Sequence, residues 1–187
     1  LHLSVSAPSS LATTNDTFTQ LVTQTDGSSD YSFIYYTCSS VGGYNSEAIT
    51  LPASTDYTAA MQEWSGAASS SCTDGTSAPT QTASPALSSV TATSTNNTDL
   101  FLTVANNAVG AAFTAPSCCT VLYSSTTGET GGAAYKIQTS TDVTSASWAW
   151  TGGSGGESIM AAFKVSGGAV TVVGISKRKK LRKLGAL

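Results

Sequence analysis

The sequence predicts an all-β chain: an antiparallel β-sandwich, jelly-roll-like or immunoglobulin-like, of about ten strands. Three observations carry that expectation. Strand and turn formers dominate, with Ser and Thr supplying about a third of the chain, while Lys, Glu, Leu and Arg are scarce. Several stretches alternate apolar and polar residues with a period of two, most strictly S-A-S-W-A-W-T at 145–151. Short apolar runs recur at roughly 8–15-residue intervals with Gly-containing turn signals between them.

In chain order, Leu3 and Val5 alternate at the start, and Phe18–Val22 follows. Tyr31–Cys38 (YSFIYYTC) is apolar on both faces, which reads as a strand inside a sheet. Ala48–Leu51, Tyr57–Trp64 and Leu100–Ala105 come next, then Val121–Tyr123 and Ala133–Thr139. In Ala146–Trp150, Ala146, Trp148 and Trp150 share one face, with Ser147, Ala149 and Thr151 opposite. Ile159–Val165 repeats the alternation through Ile159, Ala161, Phe163 and Val165, and Val170–Ile175 is a last short strand. Turns fall at Asp26-Gly27, Gly42-Gly43, Asp74-Gly75, Thr127-Gly128 and Gly131-Gly132. The polar stretch Ser65–Ser94 reads as an extended loop or crossover, with a short edge strand at most. The expected organisation is one domain, residues 1–176, followed by a basic tail, 177–187.

The charge is unevenly placed. Residues 1–176 hold two cations, Lys136 and Lys164, against all 11 acids, 2 − 11 = −9; the tail adds six cations in KRKKLRK. Charged residues make up 10% of the chain, against about 25% in ordinary globular proteins. That hydroxyl-rich, charge-poor surface is associated with secreted and viral surface proteins. The chain opens on Leu1, which reads as a processed or partial chain, and no apolar stretch approaches the roughly 20 residues of a transmembrane segment.

Four cysteines, Cys38, Cys72, Cys118 and Cys119, lack Cys-x-x-Cys spacing and suit disulfides better than zinc. Adjacent cysteines seldom bond each other, because the eight-membered ring strains the peptide link. The expectation is therefore that Cys118 and Cys119 reach separately to Cys38 and Cys72, in an order the residues leave open. The alternative is four buried thiols in a cytosolic protein. Disulfides imply an oxidising compartment.

Catalytic motifs are weak. Gly152-Gly153-Ser154-Gly155-Gly156 satisfies G-x-S-x-G, but a nucleophile elbow needs a helix after the serine and a histidine partner. Here period-two apolar residues follow, and the chain's one histidine is His2. The glycines read instead as a hairpin loop. A single histidine also argues against His-based metal sites and most acid–base schemes. Calcium would need clustered oxygens. The best such stretch is Asp26–Asp30 (DGSSD), with Asp74 weaker, and ordinary turn chemistry explains both. Glu63, Asp99, Glu129 and Glu157 are the acids a glycosidase would recruit, but nothing in the sequence pairs them. No enzyme, cofactor or metal is expected.

Binding motifs are more numerous. Tyr31, Tyr35, Tyr36, Tyr44, Trp64, Trp148 and Trp150 are rings able to stack on sugars. Trp148 and Trp150 belong to a core face, so Tyr44, in a Gly-Gly-Tyr-Asn turn, is the best glycan contact. Asn15 and Asn96 fit the glycosylation pattern N-x-[ST]. In the tail, Lys177, Arg178, Lys179, Lys180, Arg182 and Lys183 read as a solvated end, a polyanion contact with nucleic acid or an anionic surface, or a dock on an acidic neighbouring copy.

Several blocks recur together in one known group. They are T-F-T-Q-L-V-T-Q-T (17–25), S-F-I-Y-Y (32–36), E-W-S-G (63–66), T-N-N-T-D-L-F-L-T-V (95–104), A-A-Y-K-I-Q-T (133–139), S-A-S-W-A-W (145–150) and I-M-A-A-F-K (159–164). In this order they resemble the β-sandwich domains of uncharacterised secreted, cell-surface and phage-associated proteins of environmental bacteria. The resemblance covers about four fifths of the chain. It implies an extracellular sandwich and no characterised activity. The strands before Thr17 look abbreviated against that pattern, and the tail is outside it. A sheet short of a strand exposes backbone that another chain can complete. The expected function is an extracellular structural or adhesive subunit that self-assembles into a filament or virion. A carbohydrate-binding module is the alternative, and a virion protein whose tail contacts nucleic acid is the third reading.

Overall fold

The structure, a computed structural model, describes residues 2–3, 10–13, 16–25, 31–40, 47–50, 57–76, 80–82, 87–96, 98–107, 113–124, 130–140, 143–150, 156–166 and 171–178. It is all-β. In order the strands are β1 (His2–Leu3), β2 (Ser10–Thr13), β3 (Thr19–Thr25), β4 (Tyr31–Tyr36), β5 (Glu47–Thr50) and β6 (Tyr57–Ser65). Next come β7 (Thr73–Thr76), β8 (Thr80–Thr82), β9 (Leu87–Thr93), β10 (Leu100–Asn107) and β11 (Phe113–Thr114). The last five are β12 (Thr120–Ser124), β13 (Thr130–Ile137), β14 (Val143–Trp150), β15 (Gly156–Phe163) and β16 (Thr171–Arg178). Every pairing among the described residues is antiparallel.

An outer sheet has the order β16-β6-β1-β4-β3. The central sheet runs β12-β13-β10-β15-β7, with β8 also on β15. A third sheet, β11-β14-β9, and a ribbon, β2-β5, complete the set. The central sheet is covered on both faces, so the sandwich has a third layer. One face sends Leu100, Ile159, Ala161 and Phe163 to meet Val22 and Ile34 of the outer sheet. The other sends Phe101, Met160 and Ala162 to meet Ala92 and Ala146 of the third sheet, with Ala105 and Ala134 beside Trp148 and Trp150. Burial on both faces explains why all eight residues of β15 are buried. The third sheet keeps one face wet: Thr144, Ala146, Trp148 and Trp150 of β14 are buried, while Ser145 and Ser147 are exposed.

Each apolar run named above meets a strand where it falls on described residues, but two expected turns do not form: Asp74-Gly75 lies within β7 and Gly131-Gly132 within β13. Two larger expectations also need correction. Ser65–Ser94 is not a loop with one edge strand at most, because it contains β7, β8 and β9. Its hydroxyl and glycine residues give little apolar signal, yet their backbones complete two sheets. The boundary at 176 also shifts: Lys177 and Arg178 pair with Ala60 and Ala59 at the end of β16.

The cysteine pairing is a third correction. Cys38 bonds Cys72, with Cα atoms 5.5 Å apart, and Cys118 bonds its neighbour Cys119. Cys38 follows β4 in the outer sheet and Cys72 precedes β7 of the central sheet, so this bridge ties two layers. Cys118 and Cys119 stand elsewhere, in the turn before β12, where Cys119 packs toward the tryptophan side of the core. Distance therefore overrides the ring strain that argued against a vicinal pair.

The tryptophans explain two glycines. A Cβ on Gly132 would lie 2.5 Å from Trp148 Cζ3. One on Gly156 would lie 2.4 Å from the backbone oxygen of Asn106 and 2.8 Å from Trp150 Cζ2. These glycines allow close approach in the strand rather than a turn. Trp148 Nε1 donates to Thr103 Oγ1 at 2.9 Å, so its polar edge is satisfied inside the core. Because a backbone atom blocks the site, Gly156→Ala is expected to lower stability by about 1–3 kcal/mol, the usual range for overpacking. Urea unfolding measures it, and an unchanged midpoint would contradict this packing.

Candidate functional site

Among the described residues, β4 and β6 of the outer sheet are bridged by β1 alone. β1, two residues long, lies between β4 and β6, pairing with Tyr31 and Ser32 on one side and Tyr57 and Thr58 on the other. The flanking strands therefore stand two strand spacings apart, about 9.5 Å. Extending β1's register sets Ile34 level with Ala60 and Tyr36 level with Gln62, positions that residues ahead of Leu1 would meet. No strand occupies those positions among the described residues. On their far sides, β4 is paired with β3 and β6 with β16.

A cavity of about 230 Å³ lies between β4 and β6. Ile34–Cys38 and Ala60–Trp64 form its walls, and Leu102, Val104 and Ala133 of the central sheet lie among its floor residues. Ile34, Tyr36 and Trp64 pack with the core cluster, so the slot's inner side is apolar. Trp64 sits edge-on to Tyr135, with ring centroids 4.9 Å apart, and its buried indole N–H has no acceptor among the described residues. Tyr35 donates to Gln20 Oε1 at 3.0 Å, and burial raises its hydroxyl above the usual tyrosine range. Volume helps to separate ligand classes. Small-molecule pockets run about 300–1,000 Å³. This slot is smaller than that and is walled by two strand edges.

Two buried polar groups stand apart from the slot. Glu157 Oε1 on β15 accepts from Ser32 Oγ of β4 at 2.8 Å and Asn106 Nδ2 of β10 at 3.1 Å, joining outer and central sheets. Asp74 and Asp99 form a carboxyl pair beside the start of β10. Thr95 donates its N–H and its hydroxyl to Asp74, Ser94 Oγ donates to Asp99 Oδ2 at 2.9 Å, and the two carboxyls bond each other. Two carboxyls can share a hydrogen bond only if one keeps its proton. Burial, then the bond and charge of Asp74, push Asp99 up to about 6. Burial acts to raise Asp74 as well, but bonds from Asp99 and Thr95 and the Lys164 charge outweigh it and lower Asp74.

Other sequence candidates are dispersed. Glu63 is exposed on β6, and Glu157 is buried within the core. Of the four acids considered for glycoside hydrolysis, the structure brings Asp99 to Asp74 instead. Trp148 and Trp150 are 0% and 1% exposed, as their shared face implied, so they offer no sugar platform. Asn96 is half-buried, and its backbone oxygen accepts from Ser94 Oγ. Tyr44, Asn15, Ser154, Glu129, Asp26–Asp30 and tail residues Lys179, Lys180, Arg182 and Lys183 lie outside the described residues. Among the described residues no group of three or more His, Cys, Asp or Glu could hold a metal, and no helix is long and apolar enough to cross a membrane. Comparison with family models, curated proteins and solved structures found no match.

The carboxyl pair fixes a pH response. The folded chain holds the Asp99 proton up to about pH 6, whereas an ordinary aspartate releases it near 3.8. The folded state therefore binds more protons across that window, and this contribution to stability is lost as pH rises through it. The lowered Asp74 acts oppositely, below pH 3.8. Asp99→Asn keeps a donor for Asp74 without a proton to lose. Urea midpoints measured at several pH values from 4 to 7.5 are expected to show the variant gaining on the parent as pH rises; parallel profiles would contradict the pairing.

Proposed function

We propose that the protein is an extracellular structural or adhesive subunit, and that copies join by strand addition into the slot between β4 and β6. That slot carries this reading. Sheet edges attract further strands because their N–H and C=O groups remain available, and main-chain bonds with alternate side-chain pockets are the recurring mode of strand addition. The disulfides accord with an oxidising compartment, and the resemblance to secreted and phage-associated sandwiches points the same way.

The occupant we assign is the amino-terminal segment of a second copy. Leu1, Leu3 and Val5 repeat with a period of two, the pattern a slot with an apolar inner side requires. In β1 the register places His2, not a leucine, level with the buried Ser32. A slip by an odd number of residues brings the apolar set to the inward positions. The tail is the weaker donor, since Lys177 and Arg178 are already paired along β6. The six tail cations and the net −9 of the remainder add attraction between copies that salt should weaken.

Light scattering across a concentration series tests this reading. Oligomers are expected to grow with concentration and to loosen in salt. A peptide of residues 1–6 should dissociate them, and Ala60→Trp, which fills the slot, should abolish them while the circular dichroism spectrum is retained. A compact monomer at every concentration would overturn self-assembly. Assembly unaffected by both peptide and Ala60→Trp would overturn the slot as the join.

A further inference from the structure

The two disulfides differ in what they can contribute to the fold. Cys38–Cys72 spans 34 residues and joins two sheets, and Cys72 is 3% exposed. In the chain-entropy account such a loop constrains the unfolded state by about 3–4 kcal/mol. Cys118–Cys119 has a separation of one and closes no chain loop of that kind. It also joins no two elements, since both residues lie in the same turn before β12. A purely structural role leaves this second bond unexplained.

Its placement suits chemistry. Cys118 is exposed, while Cys119 is half-buried and packed toward Phe101, Met160 and the Trp148–Trp150 cluster. The Cys119 N–H donates to the Pro116 carbonyl at 3.2 Å, and Pro116 is itself buried, so the turn is held from behind. One sulfur thus faces solvent on a fixed turn and the other is sheltered beside it. Exposed disulfides and strained ones are the exchange-prone class, and a ring closed between adjacent residues carries strain through its peptide link.

We propose that Cys118–Cys119 is a thiol-exchange site, at which an external thiol becomes covalently and reversibly attached to Cys118. The thiolate of the incoming compound attacks Cys118 Sγ. A new S–S bond forms there, the Cys118–Cys119 bond breaks, and its electron pair leaves on Cys119 Sγ, which then takes a proton from water. A second equivalent of thiol can attack the mixed disulfide, releasing the oxidised thiol compound and leaving both cysteines reduced. Without it, the adjacent Cys119 thiolate attacks back and expels the bound thiol. The neighbouring cysteine therefore makes attachment reversible, and the fold survives because neither partner staples distant chain.

Glutathione and dithiothreitol titrations of the native full chain test this, with acid quenching, alkylation and peptide mass spectrometry. The Cys118–Cys119 peptide is expected to open at a dithiothreitol concentration at least about tenfold below that needed for Cys38–Cys72, with circular dichroism unchanged. Glutathione should be found on Cys118 rather than Cys119. In Cys119→Ser, where Cys118 is loaded by exchange with oxidised glutathione and releases one reduced glutathione, the adduct should persist where the parent expels it after free glutathione is removed. Simultaneous opening of both disulfides, attachment at Cys119, a vicinal pair that resists reduction until the chain unfolds, or an equally short-lived adduct in Cys119→Ser would each overturn the proposal.

Discussion

Burial of the central sheet on both faces is the constraint around which this molecule is arranged. β15 shows it most clearly: even its polar residues, Glu157 and Ser158, are inside. A strand so placed can take no side chain that water must reach, so alanine, serine and glycine stand among its larger residues. Trp148 and Trp150 then approach closely enough that Gly132 and Gly156 must lack a Cβ. Because Glu157 is enclosed, it needs donors inside the fold, and Ser32 of the outer sheet and Asn106 of the adjacent strand β10 provide them. One packing decision thus accounts for the glycines, the tryptophan positions and the polar tie between sheets.

The outer sheet obeys a different rule. It shields one face of the central sheet, yet between β4 and β6 it is built from a two-residue strand. At the slot, apolar walls and an indole N–H without an acceptor among the described residues come together in one place. Their coincidence favours an extended peptide over a compact ligand, because a strand supplies backbone partners and inward side chains at once. The charge distribution adds a second, longer-range term, with an acidic remainder and a basic carboxy-terminal segment favouring contacts between copies.

Much of the fold was legible because strand periodicity is a local property. S-A-S-W-A-W-T declared its faces, and burial follows that alternation from Ala146 to Trp150. The strands within Ser65–Ser94 were hidden because Thr, Ser and Gly carry no apolar period, and their pairing with β14 and β15 is decided far away in the chain. The third layer was likewise missed: Met160 and Ala162 are apolar between Ile159, Ala161 and Phe163, a continuous run that marks a strand covered twice. At the site, Asp74 and Asp99 were each visible, but their pairing depends on β7 and β10 both flanking β15. The vicinal disulfide depended on distances between turns, which ring-strain reasoning alone does not contain.

Strand addition between β4 and β6 is the central claim, and amide hydrogen exchange resolved along these two strands tests it most directly. In the dilute chain, the amides of Ile34–Tyr36 and Ala60–Trp64 that face the slot should exchange rapidly, while those directed to β3 and β16 stay protected. Addition of the residue 1–6 peptide should slow the slot-facing set alone. Uniform protection of both edges in the dilute chain would contradict the account, because it would mean that the sheet is already complete.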